Sequence, residues 1–287
     1  HKEITQRELL ELNFDYQYID ISISKSNIST IYTMIKWFFI LVFLVKKDDS
    51  LKSATHCLVH GDTASTLIGL IYGKKHKLDI VHLESGYKSN NIFKPFPEEI
   101  IRNIVSKYSD ILVVDGKERL NNVSKYKNEK EIIEINRNTI YDSTVERKNS
   151  EVNLLDEMIV TVHRTENIYN TKRLKLLVDL LIDIKKSQKF KSIIWYCHDI
   201  TINSLMKHKL VDRLKKEGIK LENLVDHNKF ILKIKNSKVV LTDGGSIAEE
   251  CSILDVNTIV WRDLVENEGY LKDNVILSGY SIEKINN

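Results

Sequence analysis

Short runs of apolar, largely β-branched residues alternate with longer amphipathic stretches along most of the chain. The short runs predict buried strands at 56–60, 80–83, 111–114, 132–135, 158–162, 193–197 and 238–242. The longer stretches predict helices at 63–72, 97–108, 117–125, 171–187, 202–217 and 246–253. Such alternation is typical of a parallel sheet covered by helices on both faces, so the predicted fold class is α/β, doubly wound.

A polar stretch at 137–157 lacks a sustained period and separates two series of strand and helix signals of similar size. We therefore predict a domain boundary near residue 147, with one domain at 1–147 and a second at 148–287. Both lengths lie within the usual range for one domain, roughly 100 to 200 residues.

An apolar run at 31–45 is the one segment that suggests a membrane. Lys36 interrupts it, and the run is shorter than the roughly 20 residues that a spanning helix needs. We expect no transmembrane segment, and instead a helix packed between the sheet and a neighbouring element. Contact with a membrane surface or with a second subunit is the alternative.

Composition narrows the classes of function. Hydrophobic residues make up 42% and charged residues 29% of the chain, which is typical of a globular protein and excludes disorder and collagen. The net charge of +3 is too small to indicate a nucleic-acid partner. Cys57, Cys197 and Cys251 form no CxxC pair, so we expect neither a disulfide framework nor a metal site. Because 1–15 is charged, we expect no signal peptide, and the expected location is the cytoplasm.

Three segments of the first predicted domain place acidic residues after a predicted strand or at the start of a predicted helix, where they are candidate acid/base residues. Asp62 and Glu84 each follow a predicted strand, and ligands of open parallel sheets bind beyond the carboxyl ends of strands. Glu98 and Glu99 follow two prolines and begin a helix. Each acid also has a structural interpretation, as a helix cap or a salt-bridge partner, but the three together favour an acid/base site.

The second predicted domain has a cationic and a glycine-containing segment. His163 and Arg164 follow a strand, where they can neutralise a phosphate. Gly244 and Gly245 link another strand to a helix, so that backbone N–H groups and the helix N-terminus can approach a diphosphate. This loop is neither a Walker A motif nor GxGxxG.

In this order, the motifs HGDT at 60–63, HLESG at 82–86, PFPEE at 95–99, HRTEN at 163–167 and LTDGGSIAEE at 241–250 resemble the UDP-N-acetylglucosamine 2-epimerase family. The resemblance implies a glycosyltransferase-B-like architecture, with two Rossmann-like domains facing a cleft that holds the sugar nucleotide. It also implies a reaction: UDP leaves UDP-GlcNAc to give 2-acetamidoglucal, and then either UDP returns or water adds.

The same resemblance implies roles for particular residues. The acid/base residues would be Asp62, Glu84 and Glu98, with His163 beside the diphosphate. The residues expected to bind the nucleotide sugar are Arg164, His198, Gly244, Gly245, Ser246 and, at the ribose, Glu250. The expected ligands are UDP-GlcNAc and UDP, with no metal or redox cofactor, and the expected assembly is a homodimer.

The chain departs from the family pattern in several places. We expect this sequence to lack counterparts of the family's opening strand, helix and strand, with their Gly-Thr-Arg-Pro-Glu loop, and of its long final helix. Thr165 stands where the family has arginine and Ala248 where it has glutamine, so we expect weaker binding of phosphate. An inactive UDP-sugar-binding relative and a glycosyltransferase of the same architecture are the alternative functions.

Overall fold

The computed structural model describes residues 31–48, 53–88, 97–265 and 268–286. The chain divides into two compact units, His1–Asn136 and Arg137–Asn287. The boundary that the sequence predicts, near residue 147, lies inside the second unit, at the end of its helix Thr139–Lys148. In the described ranges no helix is both long enough and apolar enough to cross a membrane.

Unit 1 contains a parallel sheet of four strands in the order β1-β2-β3-β4. Its elements are α1 Ile31–Lys47, β1 His56–His60, α2 Ala64–Lys75, β2 Asp79–Leu83, α3 Glu98–Tyr108, β3 Ile111–Asp115, α4 Lys117–Val123 and β4 Glu131–Ile135. The strands predicted for this unit are confirmed to within one residue at either end.

The core of unit 1 lies between the sheet and helices α2 and α3. Its buried members are Val59, Leu70, Ile80, Ile101 and Val105. Helix α2 approaches the sheet closely at Gly73, where an added Cβ would lie 2.3 Å from the Cδ1 atom of Ile80. Because α2 is held against β1 and β2 in this way, the loop that joins β1 to α2, with Asp62, has a fixed position above the sheet.

Helix α1 differs from the prediction of a buried helix. It contacts α2, and Val45 is buried, but the side chains of Phe39 and Phe43 are 66% and 54% exposed. Within the part of the chain that the structure describes, no other element covers this outer face. The apolar pattern therefore predicted the helix correctly, and among the described residues only its face toward α2 is packed.

Unit 2 contains a parallel sheet of six strands in the order β10-β9-β8-β5-β6-β7. Its first elements are α5 Thr139–Lys148, β5 Leu155–Thr161, α6 Thr165–Ile168, α7 Thr171–Lys186, β6 Ser192–Cys197, α8 Asp199–Lys207 and α9 Val211–Lys216. They are followed by β7 Lys220–Asn223, α10 His227–Asn236, β8 Ser237–Thr242, α11 Gly245–Leu254, β9 Thr258–Val260, β10 Val275–Leu277 and α12 Ile282–Asn286. The parallel sheets of the two units, together with the helices that connect their strands, confirm the predicted α/β class.

The order of the strands in unit 2 defines a topological switch point. From β5 the chain adds β6 and β7 on one side of the sheet, and then returns to add β8, β9 and β10 on the other. A crevice opens at the carboxyl ends of two neighbouring strands whose connections run in opposite directions, here β5 and β8. This is the position in the sheet where open α/β structures bind ligands.

Two local predictions in unit 2 are corrected. The polar stretch at 137–157 contains helix α5, which has only a weak amphipathic pattern; it is capped by the Asn138 side chain and packs on α11. The single helix predicted at 202–217 is two helices, α8 and α9, because Lys209 between them adopts a left-handed backbone with φ of 56°. Strands β7 and β10 and helix α10 gave no sequence signal strong enough to be predicted.

Candidate functional site

The first cluster of functional groups lies at the carboxyl ends of β1 and β2 in unit 1. Asp62, one residue beyond Gly61 at the end of β1, accepts a hydrogen bond from Nη2 of Arg102. The other terminal nitrogen of Arg102, Nη1, donates to Oε2 of Glu99 at 2.6 Å. All three side chains are largely buried, so Arg102 orients the Asp62 carboxylate and neutralises part of its charge.

A second pair lies next to the first. Nε2 of His60, the last residue of β1, is 3.2 Å from Oε1 of Glu84, which directly follows β2. The hydrogen bond to Glu84 and the negative charges of Glu84 and Asp62 raise the pKa of His60 above its ordinary value, against the opposing effect of partial burial. Asp62 and Glu84 therefore lie close enough to act on the same imidazole.

A fully buried histidine, His82, connects these strand ends to helix α3 through hydrogen bonds. Nε2 of His82, in β2, is 2.9 Å from the backbone oxygen of Gly61, and Nδ1 is 3.3 Å from Oγ of Ser106 in α3. Burial lowers the pKa of His82, so its imidazole is neutral at pH 7 and links β1, β2 and α3 through hydrogen bonds.

The two acids that begin helix α3 have different surroundings. Glu99 is buried and bound to Arg102. Glu98, the predicted acid/base residue, is partly exposed, and its Oε2 atom is buried without a hydrogen-bond partner among the described residues. The pair therefore has a charge-neutralised member, Glu99, and a member with an unused oxygen, Glu98.

A further acid, Asp115, lies at the end of β3. Its Oδ2 accepts a hydrogen bond of 2.8 Å from the hydroxyl group of Tyr87. Burial raises the pKa of Asp115, and the charge of Glu84 adds to this shift. The ends of β1, β2 and β3 thus each carry one carboxyl group, although the sequence motifs indicated only the first two.

The second cluster lies at the switch point of unit 2 and is built around Asp243. This fully buried carboxylate follows β8 and accepts hydrogen bonds from the backbone N–H groups of His163 at 3.0 Å and Arg164 at 2.9 Å. The side-chain amide of Asn167 also donates to it, at 2.9 Å. Asp243 therefore fixes the path of the chain after β5, and with it the position of the His163 side chain.

The imidazole of His163 has a defined environment above this carboxylate. Its ring centroid lies 4.4 Å from that of His198, which follows β6, with the planes inclined by 30°. An added Cβ on Gly244 would lie 3.5 Å from Cε1 of His163. Burial and the neighbouring His163 lower the pKa of His198. The ends of β8, β5 and β6 therefore bring together three of the predicted residues, namely His163, His198 and Gly244.

The remaining predicted binding residues lie along helix α11. Gly244 is its N-cap residue, Gly245 begins the helix, and Ser246 is exposed at its first turn. No acidic side chain lies in that turn, although the carboxylate of Asp243 lies just before the N-cap residue. Glu250, further along the same helix, is buried, and its Oε1 is 2.7 Å from Nε2 of His227.

The two departures inside the motifs have simple structural consequences. Ala248 is fully buried in an apolar cluster with Val260, Tyr270 and Val275, so this position has no hydrogen-bonding side chain. Thr165 begins the short helix α6 and is exposed. Neither position supplies a cation, and the neighbouring cation at this strand end is Arg164, which directly precedes Thr165.

Sequence reasoning missed Arg102, Asp115 and Asp243. It also missed two pairs, His60 with Glu84 and His227 with Glu250. Asp243 carried a detectable signal, since an acid between a buried strand and a glycine pair must find a partner. Arg102 carried none, because it lies within an ordinary amphipathic helix and is 40 residues from Asp62. Within the described ranges, no group of three or more His, Cys, Asp or Glu side chains could hold a metal ion.

These two units define the class of protein. Successive Rossmann-like units with parallel sheets, and the solved structures that resemble them, give this chain the glycosyltransferase-B-like fold. The structure of the UDP-GlcNAc 2-epimerase from Methanocaldococcus jannaschii in complex with UDP-GlcNAc and UDP matches with a TM-score of 0.78 and 28% identity over 96% of this chain and 78% of that one. The enzyme from Neisseria meningitidis has the same fold, with a TM-score of 0.78 at 21% identity over 99% of this chain and 79% of that one.

Sequence comparison gives the family. The family model described as UDP-N-acetylglucosamine 2-epimerase matches residues 10–287. A UDP-N-acetylglucosamine 2-epimerase of Methanocaldococcus jannaschii is 32% identical over 243 residues, which is 79% of this chain and 66% of that protein. The chain belongs to the UDP-N-acetylglucosamine 2-epimerase family. The match spans about two thirds of the length of this relative.

Proposed function

We propose that this chain is a UDP-N-acetylglucosamine 2-epimerase, an isomerase that inverts C2 of UDP-GlcNAc to supply N-acetylmannosamine units for polysaccharide synthesis. Its membership of the family supports the activity. The observation that carries the proposal is the position of Asp62 and Glu84 at neighbouring strand ends, both near His60. Two carboxylates in such an arrangement can remove a proton and return one.

The proposed reaction begins with removal of the proton from C2 of the sugar by a carboxylate. The electron pair left at C2 forms the C1–C2 double bond, and the bond from C1 to the diphosphate oxygen breaks, which releases UDP and 2-acetamidoglucal. UDP then attacks C1 again while a proton is delivered to the opposite face of C2. Asp62, Glu84 and Glu98 are the proposed acid/base residues, and oriented groups can drive these steps.

Unit 2 is proposed to hold the nucleotide. The Gly244 to Ser246 loop and the N-terminus of α11 would bind the diphosphate, with Arg164, His163 and His198 beside it. Glu250 would accept hydrogen bonds from the ribose hydroxyl groups. Its Oε1 already contacts Nε2 of His227, so the ribose must either replace His227 or share the carboxylate with it.

Proton NMR of the chain with UDP-GlcNAc in deuterium oxide tests the proposal. Loss of the C2 proton signal with appearance of UDP-ManNAc is expected from an epimerase that returns UDP. Loss of that signal with free N-acetylmannosamine and UDP is expected if water adds instead. Intact UDP-GlcNAc at high protein concentration would overturn the activity, and UDP binding by calorimetry would then identify a binding protein.

The variant Asp62→Asn tests the acid/base assignment. The amide keeps the size of the side chain but cannot take a proton, so turnover should fall at least about a hundredfold while UDP affinity stays within about threefold. Asp79→Asn is the matched control, because Asp79 is exposed at the opposite end of the same sheet, at the start of β2. Equal C2 exchange rates in Asp62→Asn and the wild type would remove Asp62 from the mechanism.

We also infer a homodimer in the cytoplasm. The exposed Phe39 and Phe43 of α1 supply apolar surface for a subunit contact. The free thiols of Cys57, Cys197 and Cys251 suit a reducing compartment. Light scattering that gives the mass of a monomer would contradict the dimer, and recovery of the protein outside the cytoplasmic fraction would contradict the location.

A further inference from the structure

His60 lies between solvent and the proposed acid/base residue Glu84. The side chain of His60 is 56% exposed, whereas that of Glu84 is 25% exposed, and the two share the contact of 3.2 Å between Nε2 and Oε1. A half-exposed imidazole bonded to a more buried carboxylate can exchange protons with water on one side and with the acid on the other. None of the roles proposed above uses this histidine.

The backbone holds this pair in place. In the parallel pairing of β1 and β2, His60 lies opposite Leu83, so that Glu84 is the next residue beyond the register. The carbonyl group of His60 accepts a hydrogen bond of 2.6 Å from Oγ1 of Thr66. Glu84 adopts φ of 56°, a left-handed conformation that costs a residue with a side chain free energy and that recurs at functional sites.

We propose that His60 is a positioning residue that relays protons between solvent and the carboxylate of Glu84. The inference rests on the proposed epimerase activity and adds the route by which one of its acids is reprotonated. When protonated Glu84 gives its proton to C2 of the sugar, Nε2–H of protonated His60 passes a proton to Glu84. The neutral imidazole then takes a proton from a hydronium ion or a buffer acid, and the carboxylate that removed the first proton from C2 gives that proton up to solvent, so that the cycle consumes no net proton.

The charges around His60 favour this role. Glu84 and Asp62 face it and stabilise its protonated form, whereas His82 in β2 is neutral and buried and adds no opposing charge at pH 7. Arg102 in α3, a cation of the same cluster, is paired with Asp62 and Glu99. The pKa of His60 is raised by these contacts, so the imidazole carries its proton to higher pH than a free histidine does.

The pairing can be measured without activity. The ring of His60 in the full chain would be titrated by NMR in the wild type and in Glu84→Gln, with assignment through the loss of one signal in His60→Gln. We expect the pKa of His60 to fall in Glu84→Gln, since the neutral amide cannot stabilise the imidazolium. An unchanged pKa would overturn the inference.

The relay is tested by the pH dependence of C2 exchange from UDP-GlcNAc in deuterium oxide. The wild-type kcat should decline as pH rises through the pKa of His60. His60→Gln should lower kcat about tenfold to a hundredfold with KM nearly unchanged, and should abolish that decline. His56→Gln is the matched control, since His56 is exposed at the other end of the same strand.

The outcomes separate the two proposals. An active wild type whose kcat and pH profile are reproduced by His60→Gln would overturn the relay alone. A wild type without exchange at any pH would overturn the epimerase activity and the relay with it, while the titration still shows whether His60 and Glu84 are paired.

Discussion

Asp243 is the residue on which the second cluster depends. It is fully buried, and its carboxylate oxygens accept hydrogen bonds from the backbone N–H groups of His163 and Arg164 and from the side-chain amide of Asn167. A buried carboxylate is stable in this position because charge-assisted hydrogen bonds replace its hydration. The same bonds hold His163 and Arg164 where a ligand of the switch point would contact them.

Asp243→Asn should weaken both folding and UDP binding. The new NH2 group would face N–H donors, so we expect a loss of about 1 to 3 kcal/mol in the free energy of unfolding and a UDP affinity lower by at least about tenfold. Urea unfolding and calorimetry measure these. Asp255→Asn is the control, because Asp255 is exposed at the end of α11, and asparagine tolerates its left-handed φ of 58°. Wild-type UDP affinity in Asp243→Asn would show that the position of His163 and Arg164 does not depend on this acid.

His82 makes the stability of unit 1 depend on pH. Its pKa is lowered in the folded state, so the folded chain binds fewer protons than the unfolded chain between the two pKa values. His82 contributes fully to the free energy of unfolding at a pH above its unfolded-state pKa of about 6.5. This contribution is lost as the pH falls toward the lower pKa of the folded state. Each pKa unit between the folded and unfolded states corresponds to about 1.4 kcal/mol in the free energy of unfolding.

The variant His82→Gln tests this, since glutamine keeps a hydrogen-bonding side chain but does not titrate. Between pH 7.5 and pH 5, we expect the unfolding midpoint of the wild type to fall further than that of His82→Gln. Equal losses in the two proteins would assign the acid sensitivity to other groups. His56→Gln, which retains His82, should follow the wild type.

Helix α5 shows how an element without a strong pattern is stabilised. The side chain of Asn138 caps its first turn and also donates to Oε1 of Glu249 at 2.6 Å. At its other end the buried ammonium group of Lys235 donates to the carbonyl groups of Arg147 at 2.7 Å and Lys148 at 2.8 Å. These contacts come from α10 and α11, so the stability of α5 depends on the whole unit.

Lys235→Met should destabilise this element. Methionine fits an apolar site but leaves the carbonyl groups at the end of α5 without a charged donor, at an expected cost of about 1.5 to 3 kcal/mol. Hydrogen exchange of the α5 amides measures the effect locally. Lys233→Met, which alters an exposed lysine of the same helix, should leave their protection unchanged. Equal protection in the two variants would contradict the role of the ammonium group.

At the scale of the whole molecule, each unit has its own sheet and its own core. Unit 2 has the larger core, with Trp195 and Trp261 among its fully buried side chains, and it contains every residue that we propose for the nucleotide. A domain with a separate core can fold alone.

We therefore expect residues 137–287 to fold when produced separately and to bind UDP within about tenfold of the affinity of the full chain. Cooperative unfolding and calorimetry are the measurements. Residues 1–136 are the matched control and should not bind UDP. An unfolded fragment, or a folded one without affinity for UDP, would show that unit 2 is not sufficient for the nucleotide site.

The α/β class, the strands of unit 1 and the motifs that follow strand ends could be predicted from the amino-acid sequence alone. These features are local: a buried parallel strand needs a continuous apolar run, and a loop beyond it needs polar or flexible residues. For the same reason Asp62, Glu84, His163 and Gly244 could be singled out as candidates from the chain alone.

Which strands and side chains lie next to one another could be seen only in the folded structure. The position of β5 between β6 and β8, which creates the switch point, comes from pairing between distant segments. The contact of Arg102 with Asp62 and the exposed face of α1 likewise depend on packing. Such contacts form between residues far apart in the chain, and the local periodicity of hydrophobic residues carries no information about them.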